Sequence, residues 1–148
     1  MTNIKFFRAH PEAILPTRKH PKDAGIDLYC IGSYSIKPGC SEIVRTGVSV
    51  ELPDGCFGLV KPKSKNNYLI GAGVVDQNYR GELLIKVVNY SLDKLLMITK
   101  GANVAQLVLV NTIYPEIDEG TTVNINTDRG ISGGIVTQLL NELGYKDE

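Results

Sequence analysis

The chain has no tryptophan, only two histidines and three cysteines, and no net formal charge, its 16 basic side chains being matched by 16 acidic ones. Each scarcity narrows the reading. With the charges cancelled, no global field would hold the chain on nucleic acid or on an anionic membrane, so neither is expected as a partner and any anion must be bound locally. His10 and His20 lie in a proline-flanked polar stretch with no HxE or CxxC spacing nearby. That argues against a zinc deaminase site and reads both as exposed loop residues. Cys30, Cys40 and Cys56 are odd in number, lack CxxC spacing and follow no signal-peptide pattern. Reduced, buried thiols in an intracellular compartment are expected: the cytoplasm, or also the nucleus in a eukaryotic host. The longest apolar runs, such as Val104 to Val110 with Gln106 inside it, fall far short of the ~20 residues a membrane helix needs. No GxSxG elbow, Walker loop or GxGxxG opening a helix occurs, so nucleophilic catalysis has no candidate residue.

What the chain does have is a succession of short strand-forming runs. IKFF, IDLYCI, YSIK, SEIVRTGVSVEL, CFGLVKP, LIGAGVV, ELLIKVVNYS, LLMITK, NVAQLVLVNTI and TVNI are separated by turn residues at Pro38-Gly39, Pro53-Asp54-Gly55, Gly71-Ala72-Gly73 and Lys100-Gly101. This spacing predicts an all-β fold, an antiparallel jelly-roll-like sandwich. Val48, Val50 and Leu52 alternate with Ser49, Glu51 and Pro53, the period of a half-buried strand. Helix is expected once and briefly, over TQLLNELG, with Thr137 as N-cap and Gly144 just past the end. At 148 residues one domain is the simplest organisation. The β domain is taken as residues 1–126, and the polar, glycine-rich residues 127–148 as a mobile arm.

Residues 74–86, VVDQNYRGELLIK, hold two apolar runs around a turn and predict a hairpin with Asp76 and Tyr79 at its tip. Other polar residues stand at strand ends and turns: Asp27 in DAGIDLY, Ser64 in KPKSKNN, Gln106 in GANVAQL and Arg129 in DRGISGG. Singly, each has an ordinary reading. Asp76 can be a turn former, Tyr79 a strand-end aromatic, Gln106 a satisfied core amide, Ser64 part of a solvated basic loop and Arg129 a surface charge.

Taken in order, these segments resemble the five motifs of the trimeric dUTP pyrophosphatases (dUTPases). The first is DAGIDLY (Asp23 to Tyr29), the second KPKSKN (Lys61 to Asn66), the third GVVDQNYRGEL (Gly73 to Leu83), the fourth GANVAQL (Gly101 to Leu107) and the fifth RGISGG (Arg129 to Gly134). The resemblance implies a homotrimer that splits dUTP to dUMP and pyrophosphate with Mg2+. Asp76 would be the general base that orients and partly deprotonates the attacking water. Tyr79 would lie against the deoxyribose and leave no room for a 2′-hydroxyl. Gly73 and Val74 would read uracil through main-chain groups. Lys63, Ser64, Lys65, Gln106, Arg129, Gly133 and Gly134 would contact the nucleotide, with Arg129 nearest the terminal phosphate. Asp27 would hold waters on a magnesium ion bound mainly by the phosphates.

Two motifs depart from the family's pattern. The second usually carries arginine before its serine and a small residue after it, where this chain has Lys63 and Lys65; lysine keeps the charge and loses the bidentate fork. In the fifth, the aromatic that covers uracil falls on Gly134 and the following small residues on Ile135 and Val136, which leaves Ile135 or Tyr145 as alternative covers. The degenerate motifs also keep open a nucleotide-binding regulator on the same fold. The related dCTP deaminases are disfavoured, because their catalytic glutamate falls on Lys86.

Overall fold

The alternation read at Val48, Val50 and Leu52 appears as burial: all three are in the core, and Ser49 and Glu51 between them are half-exposed. The computed structural model describes residues 3–144. Among these, the strands are β1 (Lys5–Arg8), β2 (Gly25–Tyr29), β3 (Tyr34–Ile36), β4 (Ser41–Arg45), β5 (Val48–Glu51), β6 (Cys56–Lys61), β7 (Leu69–Gly71), β8 (Val74–Val75), β9 (Leu84–Val88), β10 (Leu96–Ile98) and β11 (Asn103–Asn111), followed by helix α1 (Gly134–Glu142). The chain divides into two compact units, one ending at Tyr114 and one beginning at Pro115.

Every strand pair in the first unit is antiparallel. The strands form a four-stranded sheet in the order β2-β11-β6-β8, a three-stranded sheet β4-β9-β7, and the pairs β1-β5 and β3-β10. Inward-facing residues of these sheets share one core that includes Leu28, Val44, Val48, Val50, Ile85, Val87 and Leu107. Leu28 and Leu107 are fully buried; truncating either to alanine would cost about 2–5 kcal/mol in lost transfer energy and cavity.

The central strand β11 has two different faces. Leu107 pairs with Ile26 on one side and Val60 on the other, all in the core. One residue along, Gln106 pairs with Asp27 and Lys61, so these three polar residues form a row across β2, β11 and β6 on the opposite face. Gln106 is half-buried there, not fully inside the core.

Several sequence expectations need correction. The 74–86 stretch is not a hairpin. β8 pairs with β6 and β9 pairs with β4 and β7, so residues 76–83 connect strands of two different sheets. The apolar runs specified strands and a turn, but the choice of partners was made by packing. TVNI, over residues 122–125, forms no strand. Cys30 and Cys56 are buried as expected, while Cys40, in the turn before β4, is exposed. His20 is exposed, but His10 is half-buried and its Nδ1 accepts the Glu12 N–H at 3.1 Å.

In the second unit, α1 starts at Gly134, three residues before Thr137. Thr137 lies inside the helix, and its hydroxyl accepts the Gly133 N–H. The apolar residues Ile135, Val136, Leu139, Leu140 and Leu143 continue a helical stripe back past Thr137, which explains the earlier start. Gly144, with φ of +85°, follows the helix end as expected. Tyr145 lies outside the described residues.

Candidate active site

Residues between 72 and 84, with Val60, build a cleft of about 190 Å³ in the first unit, lined by Gly73 to Asp76, Tyr79 and Glu82 among others. Its floor is set by a close approach of backbones. Gly73 has φ of +101°, and its carbonyl accepts the Val60 N–H of β6 at 2.7 Å. A methyl at Gly73 would stand 2.7 Å from the Val60 carbonyl oxygen, so only glycine fits. Val74 follows with its side chain exposed and its backbone paired to Leu59.

Asp76 is exposed at the start of the loop, and among the described residues its carboxylate has no hydrogen-bond partner. Its main-chain carbonyl accepts the Tyr79 N–H at 3.1 Å, closing a turn that brings carboxylate and ring to the same cleft. Tyr79 is 43% exposed, yet its phenol donates to the Glu82 carbonyl at 2.9 Å. The ring occupies the space a side chain at Gly81 would need, with Cζ 2.6 Å from the ideal methyl position.

Side chains that the sequence did not single out hold this loop. Gln77 accepts the Gly55 N–H at 3.2 Å and donates to Asp54 Oδ1 at 2.8 Å, tying the loop to the β5–β6 turn. Arg80 donates to the Gln77 and Tyr79 carbonyls at 2.7 and 3.2 Å. Glu82 receives both Nε and Nη2 of Arg45 on β4, at 3.0 and 2.7 Å. Hydrogen bonding to Glu82, and then its charge, raises the Arg45 guanidinium above its already high ordinary pKa. Glu82 and Arg45 are 37 residues apart, and no local pattern in the chain announces such a contact.

A second group of candidate residues lies on the polar row of the four-stranded sheet. The Asp27 side chain is 10% exposed and its Oδ1 takes Lys63 Nζ at 2.5 Å, so two residues expected to serve magnesium and phosphate face each other. Thr17 holds the Asp27 backbone from the other side. Gln106 donates to the Pro62 carbonyl at 3.0 Å, and its amide oxygen lies where a side chain at Gly25 would be. Lys63 and Asn66 close a tight turn, N–H to Oδ1 at 2.8 Å and N–H to carbonyl at 2.9 Å, which presents Ser64 and Lys65 exposed at its tip. Among the described residues, no hydrogen bond joins this group's side chains to Asp76 or Tyr79. The first unit thus carries two part-sites.

In the second unit, Arg129 Nε donates to the Ser132 carbonyl at 2.9 Å, and the Ser132 hydroxyl returns a bond to the Arg129 carbonyl at 2.8 Å. The guanidinium lies against Gly133, leaving no room for a side chain there. Gly134 opens α1 and offers no ring.

Comparison with known proteins gives a consistent family. The dUTPase family model matches residues 11–136. The human mitochondrial deoxyuridine 5′-triphosphate nucleotidohydrolase is 38% identical over 88% of this chain, and the rat nucleotidohydrolase 36% over 89%. The chain spans about half the length of the human protein (52%) and 65% of the rat protein. Among solved structures, a dUTPase of Staphylococcus bacteriophage 80alpha with dUpNHpp superposes with a TM-score of 0.80 at 24% identity, covering 89% of this chain and 96% of that one.

Proposed function

The chain belongs to the dUTPase family, and on that premise we propose that it hydrolyses dUTP to dUMP and pyrophosphate. The observation that carries the reading is the Asp76 carboxylate, without a partner among the described residues, sharing one cleft with a tyrosine ring fixed by its own loop. Asp76 orients a water and takes its proton as the water attacks the α-phosphorus; the bond to the β-phosphate breaks and pyrophosphate leaves. The Tyr79 face packs on the deoxyribose. Uracil is read by main-chain groups at Gly73 and Val74 other than the Gly73 carbonyl, which β6 already engages.

Lys63, Ser64, Lys65 and Gln106 contact the phosphates, joined by Arg129, Gly133 and Gly134 of the arm, residues 127–148. Arg129 takes the terminal phosphate. The residues present fit a magnesium ion carried by the nucleotide: Asp27 Oδ1 is engaged by Lys63, while its second carboxylate oxygen has no protein partner among the described residues and could accept from a water of the ion. Magnesium would supply charge neutralisation at the phosphates, and Lys63 shares that task from the protein.

The two part-sites support a homotrimer in which different chains complete each site. Ile43, Leu84 and Leu69 are exposed on the outer face of the β4-β9-β7 sheet, interleaved with Arg45 and Lys86, a mixed surface that could be buried between copies. The Lys63–Asp27 pair favours a second reading, a nucleotide-binding regulator with weak or no turnover, because it occupies both groups in the free chain. Incubation with dUTP, dCTP and UTP, measuring pyrophosphate and ammonia, separates the possibilities. Pyrophosphate from dUTP alone is expected. Ammonia from dCTP would make it a deaminase, and binding without any product would make it a regulator.

A further inference from the structure

The loop of residues 76–83 joins strands of two different sheets, so no strand ladder runs across it to fix its shape. Its tyrosine is nonetheless held in one orientation, by the bond from its phenol to the Glu82 carbonyl at 2.9 Å and by the space at Gly81. The peptide unit that carries that carbonyl is anchored on its far side, where the Leu83 N–H donates to the Val48 carbonyl at 2.8 Å. The Glu82 side chain is held as well, by a two-point fork: its carboxylate accepts Nε and Nη2 of Arg45 at 3.0 and 2.7 Å. The base of the fork is rigid. Arg45 sits at the end of β4, where its N–H donates to the Tyr34 phenol at 3.0 Å and its carbonyl accepts the Ile31 N–H at 3.0 Å. Glu82 is largely covered, with 16% of its side chain exposed, and it lines the same cleft as Tyr79. Arg45 lines no part of that cleft.

From this geometry we infer that Arg45 and Glu82 form a positioning brace for Tyr79 and thereby set the preference for a deoxyribonucleotide over a ribonucleotide. The inference rests on the reading of Tyr79 as the sugar-facing ring. Rejection of a 2′-hydroxyl by shape requires that the ring not yield; a ring free to swing outward would admit UTP. One line of support runs from the β4 backbone to the guanidinium, to the carboxylate, along residue 82 to its carbonyl, and from there to the phenol; the Leu83 N–H bond to the Val48 carbonyl supplies the other. A planar guanidinium suits this task because its two parallel bonds fix the angle of the carboxylate as well as its distance.

The test is the ratio of kcat/KM for dUTP to that for UTP in the wild-type protein, Glu82→Gln, Arg45→Ala, the double variant, and Tyr79→Ala. Half of the Arg45 side chain is exposed (49%), which limits the strength of the pair, so the ratio should fall by about twofold to fivefold in each single variant. The double variant should be no worse than either single one, because the two residues act as one unit. Most of the change should appear as improved handling of UTP. Arg45→Lys, which keeps the charge and gives up the fork, should fall between wild type and Arg45→Ala, and it supplies the same comparison if Glu82→Gln fails to fold. A wild-type ratio in the brace variants, with the ratio lost in Tyr79→Ala, overturns the brace and leaves the sugar reading standing. A wild-type ratio in Tyr79→Ala removes the sugar reading, and the brace with it.

Discussion

Replacing Gly73 by alanine forces a methyl to within 2.7 Å of the Val60 carbonyl oxygen. The obstacle is backbone, in a strand paired on both sides, so it cannot move aside as a flexible side chain would. The residue also sits at φ of +101°, where an L side chain is strained by about 1–3 kcal/mol. Relief of the clash would lengthen the 2.7 Å bond from the Val60 N–H to the Gly73 carbonyl, at a net cost near 1 kcal/mol. Together these predict a loss of about 2–4 kcal/mol. At roughly 2–4 °C per kcal/mol for a chain of this size, the melting temperature should drop by about 4–16 °C. The measurement is thermal unfolding at one fixed protein concentration, because the proposed assembly would make the midpoint concentration-dependent. A titration with a non-hydrolysable dUTP analogue should accompany it, since the groups at residues 73 and 74 that we propose read uracil would shift. Ala72→Gly is the control: Ala72 is already at φ of +56°, so glycine there should be neutral to within about 1 kcal/mol. A Gly73→Ala protein with wild-type melting and wild-type analogue affinity would refute both the constraint at this position and its part in base reading.

Asp76→Asn should lower dUTP turnover by about 100- to 10,000-fold while analogue binding persists, because the amide keeps the shape but cannot take a proton; near wild-type turnover would remove Asp76 from the chemistry. Arg129→Ala should cost more turnover than Gly134→Ala, since it removes a charge-assisted contact worth about 1.5–3 kcal/mol; equal rates for both and for the wild type would make the arm a bystander. A thiol reagent should modify Cys40 alone in the folded protein, with Cys30 and Cys56 reacting only after denaturation. Burial pushes the Cys56 thiol further up, away from the reactive thiolate, and mass spectrometry of the labelled protein reads the count. Tyr68 is buried, donates to the Val104 carbonyl at 2.7 Å, and is pushed up to about 12 by burial first and by Cys30 second. Its folded pKa exceeds its unfolded value near 10, so its contribution is complete below about pH 10 and is lost as pH rises towards 12. Tyr68→Phe should flatten that alkaline fall in stability as followed by urea unfolding.

Much of this protein can be read from the chain because the relevant signals are local. Successive strand side chains point to opposite faces, so the Val48-Val50-Leu52 alternation states both the strand and its buried side. Pro38-Gly39 and Lys100-Gly101 mark turns because φ must turn positive there, as at Gly39 and Gly101. The candidate residues Asp27, Asp76, Tyr79 and Gln106 were recognisable because each stands within a short motif whose order along the chain is itself the signal. Partner choice was not local. Nothing in VVDQNYRGELLIK says that its first strand joins β6 and its second joins β4 and β7; that was decided by which apolar faces closed over the common core. The same closure brought Lys63 to Asp27, Gln77 to Asp54 and Arg45 to Glu82 across 23 to 37 residues of chain. Side-chain identity along the sequence therefore determined most of the strands, their turns and the candidate polar groups. Only the packed sheets determined the contacts that aim those groups, because a contact between distant residues exists only once the core has fixed the distance between them.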